Sequence, residues 1–576
     1  MTAGRFDPGR ARGAGPGQPL QSRPPAPAVS RDATRVTPQP PPVETVTPGP
    51  GAGQPYPSSR PLGLLKRLWT HRASLAVLLG LLAVVAVVHA TGMTRAPQRV
   101  DDEGTYVAQA WAVQHWGTLG HYTYWYDHPP LGWLLLAAWT TLTGAFGRAA
   151  TAVAAGREFM LVLQLVSVAL LYGLARRLGL RRVAAAGAVL LFGLSPLAVG
   201  MHRMVYLDNV ATPLLLAAFV LVLSPGHRLA AHAAAGLCLA AAVLVKETSL
   251  LLVPAVFWQY WQVSDRRTRR YSLILAGSLF ALVGAAYLLY ATLRGELLPG
   301  PGHVSLVDAI RFQLTGRAGS GSPLDPHSLS RGTMELWLGQ DRWLLGAATV
   351  LVPAGLAIRR LRPVTAAFAI LAAMALRPGY LPVPLVIGML PFASLLLAGM
   401  ADTAWVRPPR GAATSPDAAH SGLRPADPRA LGRVLVTTLL AAAIMVVVPQ
   451  WWQRDRDLMT VDQDAPFRQA EAWIAANVPH QARLLVDDAL WVDLVQRGYR
   501  PGQVIWFYKL DTDRDIQGRY PRGWREFDYL ISTATLRSFP DSLPQAREAQ
   551  RRSKVVATFG RGAQRVEIRK VQASPL

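Results

Sequence analysis

Charge is what this chain has least of. Only 16% of its 576 residues are charged, against roughly 25% in soluble domains. Acidic residues are the scarcer kind, 35 against 59 Lys and Arg, which leaves a net charge of +24. A nucleic-acid binder would gather such an excess into one dense soluble patch. Here the basic residues stand in short clusters between long apolar runs, which excludes that class and fits a multispanning membrane protein. Cysteine is nearly absent as well. The single Cys238 lies inside an apolar run, so a disulfide framework and a cysteine metal site are both excluded.

What is abundant is apolar: 51% of the chain. Residues 1–62 stand apart, rich in Pro, Gly, Arg and Ser, and read as a disordered basic cytoplasmic tail. A transmembrane part is expected over 63–449. Runs suited to spanning helices occur near 74–92, 157–175, 183–200, 210–223, 230–245, 248–262, 272–293, 342–358, 363–376, 381–400 and 434–449. Several fall short of the ~20 residues of an untilted span. Lys66, Arg67 and Arg72 precede the first run, which is expected to be a retained helix rather than a cleaved signal. Residues 450–576 return to soluble composition. An amphipathic stretch at 467–477 precedes strand-like runs at 483–486, 504–508 and 529–532, the pattern of a small α/β domain.

The run Leu131–Leu142 decides the orientation. It is a dozen residues long and follows Pro129-Pro130. If it does not cross, a first helix entering from inside keeps the loops with Arg176-Arg177, Arg266-Arg267, Arg359-Arg360 and 402–433 on the inner side. If it crosses, every cluster moves outside, against the positive-inside rule. The reading is therefore about eleven transmembrane helices, with 131–142 as a juxtamembrane or re-entrant helix and the C-terminal domain outside. Asp101-Asp102-Glu103, Asp127-His128, His202-Arg203, Asp208, Lys246-Glu247 and Arg377 then gather at the outer helix ends. Ionisable groups at the hydrocarbon boundary are costly, so a convergent set marks a functional site.

The first outer loop reads Asp102-Glu103-Gly104-Thr105-Tyr106, a helical pattern through Trp116, then Tyr124-Trp125-Tyr126-Asp127-His128-Pro129-Pro130-Leu131-Gly132-Trp133. This combination resembles the GT-C fold membrane glycosyltransferases, nearest the protein O-mannosyltransferases and the aminoarabinose transferases that modify lipid A. The resemblance covers roughly residues 75–260, with an echo at Tyr380-Leu381-Pro382-Val383-Pro384. It implies a GT-C-like helical membrane protein that takes a sugar, mannose or another hexose, from a polyprenyl phosphate to an extracytoplasmic acceptor at the plasma membrane.

The resemblance also implies site roles. Asp102 is the candidate base, with Glu103 its neighbour in the motif. The leaving group is a phosphate, so a single carboxylate that takes the acceptor's proton is enough. His128, Arg203, Lys246 and Arg377 are candidates to hold the departing phosphate. Asp208 belongs to a second outer motif, Arg203-x-x-x-Leu207-Asp208, and Tyr380 to the later echo. Asp127 is the residue a divalent metal would use, although no ligand spacing specifies an ion.

Structural alternatives stand beside each role. Asp101-Asp102-Glu103 fits the first turn of a helix, Asp127 an N-cap, Arg203 and Asp208 a turn-stabilising pair, and Lys246 a snorkelling partner of Glu247. Tyr122, Tyr124, Trp125 and Tyr126 adjoin the acidic motif as a candidate sugar platform. His303 and His327 lie in a long outer loop suited to cover a lipid donor. A transporter or flippase is the alternative function; it would show internal repeats and mid-membrane charges, and neither is clear. A nonenzymatic scaffold would leave the acidic motif without a use.

Overall fold

The computed structural model describes residues 60–119, 126, 128–226, 228–300, 303, 305–316, 319–405, 428–538 and 543–572. Residues 1–59 of the expected tail 1–62 and most of the Arg-bearing loop 402–433 lie outside these, as do Tyr122, Tyr124, Trp125 and Asp127, while residues 60–62 begin a helix.

The apolar runs all lie in helices. Four helices are long and apolar enough to cross a membrane unaided: Arg72–Ala90, Ala152–Arg177, Arg269–Leu293 and Leu385–Trp405. Arg182–Leu194 and Pro196–Arg203, bent by 60° at the Ser195-Pro196 break, make a fifth together. A proline lacks the amide hydrogen that would continue the preceding helix. The expected eleven thus rests on four or five clear spans among the described residues. Shorter apolar helices, 131–143, 207–222, 229–245 and 362–376, stand at other expected positions.

The helices pack as a continuous series. Arg269–Gly284 lies on Leu229–Val245, which lies on Leu207–Val222, then Ala152–Arg177, Arg182–Leu194 and Leu385–Trp405, with Leu329–Ala357 and Arg362–Leu376 beyond. At one end of this bundle Arg181 and Arg360 meet the buried carboxylate of Asp402, at 2.8 and 3.2 Å. Two of the basic loops expected to share a side therefore do share an end.

Residues 465–572 form the small α/β domain. Helix Ala465–Asn477 precedes a five-stranded sheet in the order β2-β1-β3-β5-β4. Its strands are β1 Leu484–Val486, β2 Val504–Trp506, β3 Tyr529–Ser532, β4 Ser553–Phe559 and β5 Val566–Val571. β1 runs parallel to both β2 and β3, with Leu485 opposite Ile505 and Leu530. β5 is antiparallel to β3 and β4. The three strands expected from the sequence are present, and they are the buried ones. In the missed pair, β5 is interrupted by Glu567, Arg569 and Lys570, which weakens its apolar signal, whereas β4 carries the run Val555–Phe559 that the sequence reading passed over.

Buried charge seats this domain on the bundle. Arg99, 3% exposed, donates to Asp464 at 2.8 Å, Glu471 at 2.7 Å and Asp493 at 2.9 Å. The other oxygen of Asp493 accepts from the backbone N–H of Ala152 at 2.7 Å and so satisfies the first turn of the Ala152–Arg177 helix. Removing one partner from such a network costs about 3–5 kcal/mol, because the remaining charges stay buried without it.

Candidate active site

The site lies where α2 Asp101–Trp116 and α3 Leu131–Thr143, which follow α1 Arg60–Ala90, meet the start of Leu207–Val222 and the end of Leu229–Val245. α2 begins on the acidic motif, as the pattern predicts, and stops at Trp116 where Gly117 turns to φ 69°. Asp101, Asp102 and Glu103 fill its first turn, where the helix dipole favours negative charge. The helix-start reading and a functional one are thus compatible, and the two motif carboxylates have different surroundings.

Glu103 is fully buried and fully engaged. One oxygen accepts from Arg157 Nε and the Val205 amide, both at 2.9 Å, and the other accepts from Arg157 Nη2 at 2.7 Å. Arg157 Nη1 donates in turn to the carbonyls of Met93 and Pro97. Glu103 therefore pins α2 to the Ala152–Arg177 helix and to the turn before Asp208. Asp102 is partly exposed and forms no side-chain hydrogen bond among the described residues. Its carboxylate is free to meet a ligand.

One helical turn beyond Asp102, on the same face, the Tyr106 ring lies 6.1 Å from that of His128. His128 Nδ1 meets Glu247 at 3.0 Å, and its Nε2 meets Lys246 Nζ at 2.8 Å. An ammonium group has only hydrogens to give, so Nε2 accepts from Lys246 while Nδ1–H donates to Glu247. Lys246 thus donates to His128 and lies 4.0 Å from its neighbour Glu247. The Tyr287 hydroxyl supports this segment from behind, donating to the carbonyls of Tyr126 and His128 at 3.2 and 3.1 Å.

Asp208 opens the Leu207–Val222 helix within electrostatic reach of Lys246, Glu247 and His128. It is 8% exposed, and its Oδ2 has no partner among the described residues. A buried oxygen left open beside a cation is suited to a ligand's polar group. Tyr206, two residues earlier, lies within reach of Asp101, Asp102 and Glu103, which links the acidic turn to the Asp208 turn. Gly132 explains the last position of the His-Pro-Pro-Leu-Gly motif. A Cβ there would come within 2.6 Å of a Leu207 methyl and 3.2 Å of a Val245 methyl, so glycine lets α3 lie against both helix ends that present Asp208 and Lys246 without displacing those side chains.

Beside this cluster is an apolar cavity of about 370 Å³. Pro130, Leu131, Leu134, Leu244 and Tyr287 line it, so it opens two residues from both His128 and Lys246.

Other expected residues fall elsewhere. Arg203 donates to four carbonyls, those of Val88, Thr91, Ala96 and Leu458. It neither pairs with Asp208 nor joins the His128 cluster, because the end of α1 leaves carbonyls that need donors. Arg377 ends the Arg362–Leu376 helix with its side chain exposed near Gly379. The following segment, which leads to the half-buried Tyr380, is hydrogen-bonded to the loop at Ser320–Ser330. His303 Nε2–H donates to the Leu298 carbonyl at 3.1 Å, and His327 lies exposed in a turn. Among the described residues, no three His, Cys, Asp or Glu side chains converge to hold a metal.

Sequence reasoning missed Arg157, Tyr206 and Tyr287, whose work is to position others, and the Asp487-Asp488 pair after β1. Only that pair carried a visible signal, two acids directly behind an apolar strand.

The family model for dolichyl-phosphate-mannose-protein mannosyltransferase matches residues 127–290, from the His-Pro-Pro segment to Tyr290. No relative matches among curated proteins. The ArnT of Cupriavidus metallidurans, solved with undecaprenyl phosphate, superposes with a TM-score of 0.52 at 15% identity, over 86% of this chain and 99% of that one. Its apo form gives 0.52 at 17% identity, over 88% and 100%. The oligosaccharyltransferase AglB of Archaeoglobus fulgidus, in complex with an inhibitory peptide and a dolichol-phosphate, gives 0.50 at 11% identity, over 82% and 72%. The chain therefore has the GT-C fold of membrane glycosyltransferases, and its resemblance to the protein O-mannosyltransferase and aminoarabinose transferase group holds in both sequence and structure.

Proposed function

We propose that this protein transfers a hexose, mannose being the first candidate, from a polyprenyl phosphate to a hydroxyl of an extracytoplasmic acceptor. The acceptor oxygen attacks the anomeric carbon while the bond from that carbon to the phosphate oxygen breaks. The configuration inverts, polyprenyl phosphate leaves, and Asp102 takes the acceptor's proton. Lys246, oriented by His128 and Glu247, receives the phosphate charge. The open oxygen of Asp208 accepts from a sugar hydroxyl. The apolar cavity by Pro130 and Leu134 takes the first isoprene units of the donor. Glu103 serves as the pin for this geometry, and Arg203 as a staple for the end of α1. Arg377 and Tyr380 are assigned to the rim through which the donor approaches.

The observation that carries the reading is the contrast between the two motif carboxylates. Glu103 is enclosed by hydrogen bonds, whereas Asp102 is partly exposed, one helical turn from Tyr106, whose ring neighbours that of His128, and within electrostatic reach of Tyr206. The break at Ser195-Pro196 is the feature a transporter would share, and buried Asp341 and His89 bond to it at Ser195 and Gly193; His128, Lys246 and Asp208 lie instead at helix ends. Purified protein given labelled undecaprenyl-phosphate mannose and an envelope extract separates the two, since only a transferase releases polyprenyl phosphate. Asp102→Asn is expected to abolish release while protein level and donor binding stay near normal. Full activity in that variant would remove Asp102 from the base role.

A further inference from the structure

In open sheets with parallel strands, ligands gather beyond the C-terminal strand ends at the point where strand order reverses. Here β1 stands between β2 and β3 and runs parallel to both. That point therefore lies beyond Val486, Trp506 and Ser532, and the residues that follow are Asp487-Asp488, Tyr508-Lys509 and Thr533. The first turns of α2 occupy it.

Thr105 Oγ1 donates to Asp488 Oδ2, and the Tyr508 hydroxyl donates to the same oxygen at 2.8 Å. Asp487 is fixed by Thr533 at 2.6 Å and caps the Asp488–Gln496 helix through the Ala489 amide. Gly104 lies directly on the Asp488–Ala489 peptide. Asp488 is 1% exposed, and its Oδ1 has no partner among the described residues.

The geometry points to Asp488 as a positioning residue of the transfer reaction: seated in the strand-end crevice of the small domain, its carboxyl fixes through Thr105 the rotation of α2 that aims Asp102 at the acceptor. This rests on the reading of Asp102 as the base. Thr105 is three residues from Asp102, so the two side chains share a helix face, and a twist that loosens one swings the other.

The local charges require a proton in the same place. Asp101 from α2, with Asp487 from its own chain end, crowds Asp488, and Lys509 from beyond β2 is the cation in reach. Carboxylates this close do not all ionise. The unpartnered Oδ1 is the oxygen that can carry the proton, which leaves Oδ2 to accept from Thr105 and Tyr508. An asparagine has the same shape and the same acceptor, with no charge to lose.

The test uses the full chain in lipid nanodiscs, with undecaprenyl-phosphate mannose as probe donor and envelope extract as acceptor. Asp488→Ala and Thr105→Val are expected to lower kcat by about tenfold or more, with donor KM changed by less than about twofold, the mark of a misaimed base. Asp488→Asn and Thr105→Ser are expected to restore kcat to within about threefold. Parental kcat in Asp488→Ala or in Thr105→Val overturns the inference, and so does Asp488→Asn falling as far as Asp488→Ala. If Asp488→Ala does not fold, Thr105→Val decides from the other side of the contact. An active Asp102→Asn in the same assay would sink the base assignment itself. An inactive one beside a fully active Thr105→Val would sink only the positioning role.

Discussion

Gly104→Ala sets two effects of opposite sign against each other. Residue 104 is inside the first turn of α2, where alanine is better than glycine by about 0.8–1 kcal/mol in helix propensity. By propensity alone the variant gains stability. The surroundings say the reverse. A Cβ on residue 104 would overlap the carbonyl carbon of Asp488 and the nitrogen of Ala489, far inside the 3.0 Å below which real side-chain carbons do not approach. These are backbone atoms and no rotamer can move them aside, so α2 has to retreat by about an ångström to reach ordinary contact. Overpacking in cores that can yield already costs about 1–3 kcal/mol. The retreat also stretches the Thr105–Asp488 hydrogen bond, worth about 1–2 kcal/mol. The net is a loss of about 2 kcal/mol, and a misplacement of this size costs on the order of 10²-fold in rate. Thermal unfolding of the purified protein and single-turnover transfer measure the two quantities. Gly518→Ala, in the exposed Arg514–Arg519 helix with nothing within 4 Å of the new methyl, reports propensity alone and is expected to be neutral or stabilising. A Gly104→Ala protein as stable and as fast as its parent would refute the reasoning.

Two further outcomes follow from the same interface. Arg99→Met removes the cation shared by Asp464, Glu471 and Asp493; about 3–5 kcal/mol is lost, read as a lowered Tm and earlier proteolysis of the small domain, and an unchanged melting curve would contradict it. Burial, then the charge of Asp487, pushes Asp488 up to about 8. The folded chain keeps that proton between the ordinary carboxylate range and pH 8 while the unfolded chain loses it, so this group's contribution to stability falls as pH rises through that window. Asp488→Asn is expected to gain on the parent in Tm steadily from pH 5 to pH 8, and a constant difference across that range would count against the assignment.

Much of the fold was legible because apolar length and turn chemistry are local signals. The helix predicted to run through Trp116 ends there, and strands at Leu484–Val486, Val504–Trp506 and Tyr529–Ser532 were readable because each is a short, buried, β-branched or aromatic run. Span number was less legible. A helix such as Leu207–Val222 is buried among neighbours, and its apolar length reports that burial as much as a crossing. At the site, the motif picked out His128, Asp208 and Lys246, which lie together, and Asp102, which stands at the start of α2. It did not distinguish Arg203 from them, since an arginine that satisfies carbonyls looks the same in a sequence as one that meets phosphate. Nor could it separate Glu103 from Asp102, because the partner that occupies Glu103 is Arg157, far along the chain. The use of Asp488 was hidden for the same reason: its meaning depends on a glycine nearly four hundred positions earlier.

Arg99 belongs to the stretch just before α2, and the three acids it satisfies all belong to the small domain. Neither half can therefore be exchanged alone. A chimera that borrows a small domain lacking those acids strands a guanidinium, and one that borrows only the helical half strands three carboxylates. The two parts have to be inherited, trimmed or redesigned as one unit, however separable they look along the chain.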